Sequence, residues 1–229
     1  MSAIYFVRHA QAGARHNYDV LSDLGREQVA NLADYFKKEG INAAAVISGR
    51  PLRQRETAEA LGGATIIDSA WDEFDLSALY ASIASRLLVD HDGFSADHDE
   101  MHRDLAADPH KTSRAVARCD QTVIRAWITD RYSDASCQRW ADFKEGVLDG
   151  IERLRQYGSG ERVVIFTSAG PIGIAVGYAL GCNDEQVLPL MAVMYNTGIT
   201  TIRLGESDTT LFTFNALPHL EERSLRSFR

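Results

Sequence analysis

Short apolar runs alternate with amphipathic segments along most of this chain, and this alternation constrains the fold more than any other feature. The predicted strands are AIYFV (3–7), AAAVIS (43–48), ATIID (64–68), RVVIFT (162–167), TGITTIRLG (197–205) and TTLFTFN (209–215). The predicted helices are 21–40, 50–61, 137–157 and 171–181. Strands that alternate with helices favour a mostly parallel sheet with helices on both faces. The expected fold class is therefore α/β, a three-layer α/β/α sandwich whose last two strands form an edge hairpin.

Two of the predicted helices have clear boundary or packing signals. Ser22 is suited to cap the helix at 21–40, and Gly40 is suited to end it. Apolar residues recur at helical spacing in both segments: Val29, Leu32, Ala33 and Phe36, then Trp140, Phe143, Val147, Ile151 and Leu154. Each helix is therefore expected to pack one apolar face against the rest of the protein.

Residues 76 to about 135 interrupt the alternation. They include DHDGFSADHDEMHRDLAADPHKTSR (90–114), which is polar, rich in His and Asp, and weakly periodic. We expect an insertion of short helices within a single domain that spans 1–229. The histidines of this segment are expected in solvated loops, and the alternative is that one of them assists a site. They are His91, His98, His102 and His110.

The acidic composition limits the partners of the protein. There are 24 Lys and Arg residues against 32 Asp and Glu residues, which gives a net charge of −8. Sequence-independent binding to nucleic acid or to a membrane surface needs an excess of basic residues, so neither is expected. The first residues resemble no signal peptide, and no apolar run approaches the length of a membrane span. The expected location is cytoplasmic, and the sequence does not indicate an oligomeric state.

Polar residues follow three of the predicted strands. Arg8 and His9 end the first strand, Ser48 ends the second, and Thr167 and Ser168 end the strand at 162–167. In a parallel sheet the carboxyl ends of the strands meet at one edge, where ligands bind. Ser168 also precedes a predicted helix, and free N–H groups at a helix start favour anions. Ser168 could be a nucleophile, one wall of a phosphate pocket, or the replacement for another residue.

Arginines are concentrated at the start of the helix at 50–61. Arg50, Arg53 and Arg55 lie where the helix dipole favours negative charge. They could simply form a solvated face. A bound phosphate would relieve the conflict with the dipole, because guanidinium groups match phosphate oxygens in geometry and charge.

Several motifs in order resemble the histidine phosphatase superfamily, which has the phosphoglycerate-mutase-like fold. They are FVRHA (6–10), LSDLGREQV (21–29), SGRPLRQRETAE (48–59), WDEFD (71–75) and the strand-turn at 163–170. NTGITTIRL (196–204) and FNALPHL (214–220) resemble the end of its phosphatase branch. Each motif alone is weak, but their common order is specific. The resemblance leaves out most of 76–135.

The resemblance implies roles for particular residues. His9 would attack phosphorus and become a phosphohistidine, while Arg8 and Arg53 would hold the phosphoryl oxygens. Glu73 would be the general acid that protonates the leaving oxygen. Its neighbours Asp72 and Asp75 are the alternatives for that role. The implied reaction needs no metal and no cofactor, and the implied partner is a small phosphorylated substrate.

The sequence departs from the family at the end of the late strand. A second histidine is usual there, whereas this chain has Ser168, followed by Ala169 and Gly170. Both Ser168 and the backbone N–H of Ala169 could still donate to a phosphate oxygen. Ser168 is disfavoured as a nucleophile, because no His or Lys lies near it in sequence and a G-x-S-x-G elbow is absent.

The preferred interpretation is a phosphatase that hydrolyses a phosphate monoester through phospho-His9. The alternatives are a degenerate member that binds a phosphorylated ligand or partner without turnover, and, less favoured, a phosphomutase. A metal-dependent hydrolase would belong to a different class, but the spacing in the histidine-rich segment matches no standard metal site. His219 is expected to be structural. Three cysteines without C-x-x-C spacing also disfavour a disulfide framework and a zinc site.

Overall fold

The computed structural model describes residues 1–13, 18–108, 113–133 and 136–228. Its strands form one sheet in the order β3-β2-β4-β1-β5-β6. The strands are β1 (Ser2–Arg8), β2 (Ala45–Ser48), β3 (Ile66–Ile67), β4 (Arg162–Thr167), β5 (Ile199–Leu204) and β6 (Thr209–Ala216). The first four strands run parallel, whereas β5 pairs antiparallel with β1 and β6 pairs antiparallel with β5. The mostly parallel sheet and its edge hairpin are therefore confirmed.

Helices cover both faces of the sheet, which confirms the three-layer α/β/α architecture. They are α1 (Asp23–Lys38), α2 (Leu52–Ala58), α3 (Leu76–Leu79), α4 (Ser85–Asp90), α5 (Phe94–Ala107), α6 (Arg114–Ile128), α7 (Trp140–Leu154), α8 (Ala169–Leu180) and α9 (Asp184–Ala192). None of these described helices is long and apolar enough to cross a membrane.

Alternation along β1 divides the core into two layers. Ile4 and Phe6 face the larger apolar cluster, to which α6, α7, α8 and α9 contribute buried residues. Val7 faces the opposite way and packs with Leu32 and Phe36 of α1. Successive side chains of a strand point to opposite faces, so one central strand anchors both layers.

The helix signals predicted from sequence are confirmed at α1 and α7. The hydroxyl of Ser22 accepts a hydrogen bond from the backbone N–H of Gly25 at 3.0 Å, which caps α1. Each apolar residue predicted to line one face of α7 is buried: Trp140, Phe143, Val147, Ile151 and Leu154.

Two predictions outside the insertion need correction. The strand predicted at 64–68 is only Ile66–Ile67, an exposed edge strand that pairs with β2 alone. The sequence reading missed α9, although Asn183 and Gln186 form a capping box at its start. Pro189 lies inside α9 and obscures the helical pattern.

Residues 76–128 contain longer helices than predicted, because α5 and α6 have 14 and 15 residues. A π-helical turn, Tyr80–Ala84, joins α3 to α4. His98 and His102 lie on α5, so their expected placement in a solvated loop is wrong. His91 follows α4 as its C-cap, and His110 lies outside the described residues. Buried Phe94, Met101, Val116, Val123 and Trp127 join the larger core cluster.

Two glycines of α7 should respond to substitution with opposite signs. A Cβ on Gly150 would lie 2.9 Å from Cζ2 of the fully buried Trp71, whereas a Cβ on Gly146 would meet nothing within 4 Å. Gly146→Ala should therefore stabilise the protein by about 0.5–1 kcal/mol, through helix propensity. Gly150→Ala should destabilise it by about 1–3 kcal/mol, through overpacking. Urea unfolding measures both, and equal shifts of one sign would contradict the packing described for Trp71.

Candidate active site

His9 is held at the carboxyl end of β1 with one ring nitrogen already used. Its Nδ1 lies 2.8 Å from the carbonyl oxygen of Ala10. Because a carbonyl only accepts, Nδ1 carries the proton and the lone pair lies on Nε2. Burial lowers the pKa of His9 well below its usual value, and the charges of Arg53 and Arg8 lower it further. The ring is therefore neutral and nucleophilic at neutral pH.

The neighbouring strand β4 fixes the backbone around His9. Arg8 pairs with Thr167 in the parallel register, and the N–H of His9 donates to the carbonyl oxygen of Thr167 at 2.8 Å. Ser168 follows immediately. The register thus brings together Arg8, His9 and Ser168, as their positions at strand ends predict.

Arg8 is buried and only part of its guanidinium is engaged. Its Nη1 donates to the carbonyl oxygens of Met194 and Phe228, the latter at 2.7 Å. Its Nε is buried and has no hydrogen-bond partner among the described residues. A buried N–H of a charged group without an acceptor is costly, so this atom points to a missing acceptor.

Arg53 resembles Arg8 in that its Nε atom lacks a hydrogen-bond partner among the described residues. Its Nη1 donates to Asp19 at 3.0 Å, and its guanidinium carbon lies 4.9 Å from the centre of the Tyr18 ring. Its Nε is buried and likewise lacks a partner in the described part of the chain. The Tyr18 ring also meets the His9 ring edge-on at 5.9 Å. Both arginines predicted to hold a phosphate therefore retain a buried donor for an anion.

Glu73 reaches the start of α8. Its Oε2 accepts from the N–H of Gly170, and its Oε1 accepts from the N–H of Phe74, both at 3.2 Å. A Cβ on Gly170 would lie 2.2 Å from Glu73 Oε1, so glycine is required for this approach. Burial raises the pKa of Glu73, opposed by the Gly170 hydrogen bond and by the charge of Arg53. The carboxyl group is thus biased towards the protonated state.

Asp72 and Asp75, the two alternatives to Glu73 as general acid, make other contacts. Asp72 accepts from Nε of Arg50 at 2.6 Å and from the Arg50 backbone N–H at the same distance. Asp75 caps α3 by accepting from the N–H of Ala78 at 3.0 Å. Arg50, one of the three arginines at the start of α2, is therefore engaged with Asp72.

Ser168 is fully buried, and its partner is a residue that the sequence reading missed. Nε2 of Gln54 donates to Ser168 Oγ at 2.8 Å. Ala169 begins α8, so its N–H has no partner within the helix. Gln54 shares one face of α2 with Thr57 and Ala58 at positions i+3 and i+4, and all three are buried.

The segment 225–228 was also missed, and it supports the backbone beside His9. Nε2 of Gln28 donates to the hydroxyl of Ser227 at 3.0 Å, and that hydroxyl donates to Asn196 Oδ1 at 2.9 Å. The Asn196 side chain then donates to the carbonyl oxygen of His9 at 3.0 Å. No local pattern could reveal a chain of contacts between residues so distant in sequence.

The remaining histidines have other neighbours. His98 and His102 face each other on α5 with their Nε2 atoms 3.1 Å apart, and α5 packs against α4 and α6. Nε2 of His219 lies 2.9 Å from the hydroxyl of Thr197, and burial lowers the pKa of His219 to about 4. Among the described residues, no group of three or more His, Cys, Asp or Glu side chains is arranged to hold a metal ion.

Comparison with solved structures relates this fold to several phosphatases. A mutant phosphoserine phosphatase from Entamoeba histolytica, in complex with phosphoserine, is 14% identical with a TM-score of 0.64, over 96% of this chain and 100% of that one. A glucosyl-3-phosphoglycerate phosphatase from mycobacteria is 18% identical with a TM-score of 0.57, over 93% and 98%. An α-ribazole phosphatase from Shigella flexneri is 14% identical with a TM-score of 0.60, over 93% and 96%.

At these identities the structures establish a shared fold. No curated protein matches the sequence. The sequence model of the histidine phosphatase superfamily (branch 1) matches residues 4–103 and 99–217, which together span most of the chain. This protein therefore belongs to the histidine phosphatase superfamily.

Proposed function

We propose that this protein hydrolyses a small phosphate monoester through a phosphohistidine formed on His9. The observation that carries the proposal is that the Nε atoms of Arg8 and Arg53 are buried and have no hydrogen-bond partner among the described residues. Both arginines lie near enough to His9 for their charges to lower its pKa. A phosphoryl group satisfies both, and His9 is then positioned as its nucleophile.

The first step transfers the phosphoryl group to the protein. Nε2 of His9 forms a bond to phosphorus while the bond from phosphorus to the ester oxygen breaks. Glu73, whose pKa is raised by burial, gives its proton to the departing oxygen, so that the product leaves as an alcohol. Arg8 and Arg53 stabilise the charge on the phosphoryl oxygens in the transition state.

The second step regenerates the protein. The Glu73 carboxylate takes a proton from water, and the water oxygen bonds to phosphorus as the bond from phosphorus to His9 breaks. Inorganic phosphate leaves and His9 is again neutral. Ser168 and the N–H of Ala169 are proposed to donate to the phosphoryl oxygens throughout, in place of the second histidine that is usual in the family.

Similar structures support a phosphate monoester as the substrate class. They include a phosphoserine phosphatase bound to phosphoserine, a glucosyl-3-phosphoglycerate phosphatase and an α-ribazole phosphatase. We propose that 76–135 is an insertion in a single domain and shapes the pocket. Its support is the Trp127 ring of α6, which packs 4.9 Å from the ring of Phe74, next to Glu73.

His9→Ala should abolish turnover of para-nitrophenyl phosphate, with a loss of about 10³-fold or more in kcat. The wild type should keep its activity in EDTA, because no step uses a metal. His102→Ala is the matched control, since it removes an exposed histidine of α5, and it should be as active as the wild type. Equal activity of His9→Ala and wild type would refute the proposal. A wild type that binds phosphate without turnover would favour the degenerate, ligand-binding alternative.

The pH dependence of kcat/KM should be bell-shaped. The rate should rise with pH as His9 loses its proton, below the usual range for histidine because its pKa is lowered. It should fall at higher pH as Glu73 ionises, at a value above the usual range for a carboxyl group. Glu73→Gln should remove the high-pH limb.

The size of the Glu73→Gln effect should depend on the leaving group. An alkyl ester needs a proton on its departing oxygen, so its kcat should fall by about 10²–10⁴-fold. Para-nitrophenolate leaves readily without a proton, so its kcat should fall much less. Asp72→Asn is the control variant. An equal loss with both esters, or a larger loss in Asp72→Asn, would remove Glu73 from the role of general acid.

A further inference from the structure

We propose that Asp19 is a positioning residue that holds the guanidinium of Arg53 so that its Nε–H stays available to the phosphoryl group. The proposal rests on the proposed phosphatase function and adds to it a residue that does not itself contact the substrate. Asp19 lies in the loop between β1 and α1, whereas Arg53 lies on α2. A loop thus prepares a side chain of a separate helix for the reaction.

Asp19 makes the hydrogen bond that holds the guanidinium of Arg53. Its Oδ1 accepts from Nη1 of Arg53 at 3.0 Å, while the buried Nε has no partner. Among the described residues, the guanidinium donates to no other acceptor. An arginine side chain has many rotamers, so fixing it in one of them costs entropy. The ion pair through Nη1 therefore decides which donors of Arg53 are left for a ligand.

The start of α2 holds Asp19 in turn. Oδ2 of Asp19 accepts from the backbone N–H of Leu52 at 3.1 Å, and Oδ1 accepts from the backbone N–H of Arg53 at 3.4 Å. The N-cap residue of α2, Pro51, makes no side-chain hydrogen bond to the helix. N–H groups at a helix start have no partner within the helix, so the carboxylate also satisfies these donors. The guanidinium is thereby fixed relative to the helix that carries it.

Tyr18, the neighbour of Asp19, supplies a second contact to the same guanidinium. Cζ of Arg53 lies over the Tyr18 ring, 4.9 Å from its centre. The same ring meets the ring of His9 edge-on at 5.9 Å, and the charge of Arg53 lowers the pKa of His9. The loop therefore anchors Arg53 beside the nucleophile. A donor that is fixed before the substrate arrives needs little reorganisation in the transition state.

The charge of Asp19 acts on phosphate in the opposite sense to its positioning role. Carbonyl oxygens of Met194 and Phe228 hold Arg8 without a net charge, whereas a carboxylate holds Arg53. The carboxylate compensates one of two like charges in the empty site, but it also repels an incoming phosphate. Removal of Asp19 should therefore misplace Arg53 and at the same time relieve a repulsion. The result should be a larger change in kcat than in KM.

The test is a double-mutant cycle between Asp19→Ala and Arg53→Met. Asp19→Ala should lower kcat for para-nitrophenyl phosphate by about 10–100-fold, because the guanidinium is misplaced, with a smaller change in KM. Arg53→Met removes the donors themselves and should lower kcat by about 10²–10³-fold. In the Arg53→Met background, Asp19→Ala should have no further effect on kcat, because Asp19 acts through the guanidinium.

Thermal unfolding separates this role from the support that Asp19 gives to α2. Asp19→Ala removes the acceptor for the N–H of Leu52, so it should lower the Tm even in the Arg53→Met background, where it no longer lowers kcat. The matched control is Glu152→Ala. Glu152 and Arg155 pair at 2.8 Å with side chains 55% and 16% exposed, against 54% and 11% for Asp19 and Arg53. The control should keep its kcat. A kcat loss that persists in the Arg53→Met background would overturn the proposal.

A second measurement does not depend on turnover. In ¹⁵N-labelled protein, the Nε–H signal of Arg53 is identified by its loss in Arg53→Met. Because this atom is buried, its proton should exchange slowly with water, and inorganic phosphate should shift the signal. Asp19→Ala should speed the exchange and reduce the shift, whereas Glu152→Ala should do neither.

The two measurements keep the two proposals distinguishable. A wild type without turnover would contradict the proposed phosphatase function, and the Arg53 signal would still decide the role of Asp19. An active wild type whose Arg53 signal or kcat is unchanged in Asp19→Ala would leave the phosphatase standing and refute the positioning role.

Discussion

The structure of the site depends on two guanidinium groups, one buried and one partly buried, at the carboxyl edge of a parallel sheet. Arg8 comes from the end of β1 and Arg53 from α2, and each retains a buried Nε without an acceptor in the described chain. Two like charges close together in a buried place oppose folding unless other groups or a ligand compensate. Carbonyl oxygens of Met194 and Phe228 compensate Arg8 in part, and Asp19 compensates Arg53 in part. The two Nε donors that remain without an acceptor among the described residues match an anion.

Burial and this positive charge act together on two ionisable groups of the site. Burial lowers the pKa of His9, and the charges of Arg53 and Arg8 lower it further. Burial raises the pKa of Glu73, and the charge of Arg53 limits that rise. The pKa of His9 is thus lowered and that of Glu73 is raised, which suits the proposed roles of His9 as nucleophile and Glu73 as general acid. A bound phosphate would cancel much of the positive charge.

The sequence predicted those parts of the protein that depend on local pattern. Arg8 and His9 end a short apolar strand, and the order of strands and helices places that end at a ligand-binding edge. Local pattern also placed Ser168 there. It did not distinguish Glu73 from Asp72 and Asp75, because only the fold shows that Asp72 binds Arg50 and that Asp75 caps a helix.

Other features depend on contacts that no local pattern encodes. The backbone carbonyl oxygen of Phe228 accepts a hydrogen bond from Arg8, which lies 220 positions earlier in the sequence. Gln54 lies between two arginines of α2, and the sequence analysis weighed only the arginines there, as a solvated face or as a phosphate site. The helix α5 was underestimated because most of its residues are polar or charged and only Phe94 and Met101 are buried. Packing against the core, rather than intrinsic pattern, stabilises such helices.

The central claim is that the phosphoryl group passes through His9. The most direct measurement is to quench the wild type during turnover of a phosphate ester and locate the phosphoryl group by mass spectrometry of its peptides. If the phosphoryl group passes through His9, the peptide that contains His9 should carry one phosphoryl group, stable in base and lost in acid, as expected for a phosphohistidine. An acid-stable phosphoryl group on Ser168 would contradict it, and so would turnover without any phosphorylated protein under conditions that trap the intermediate.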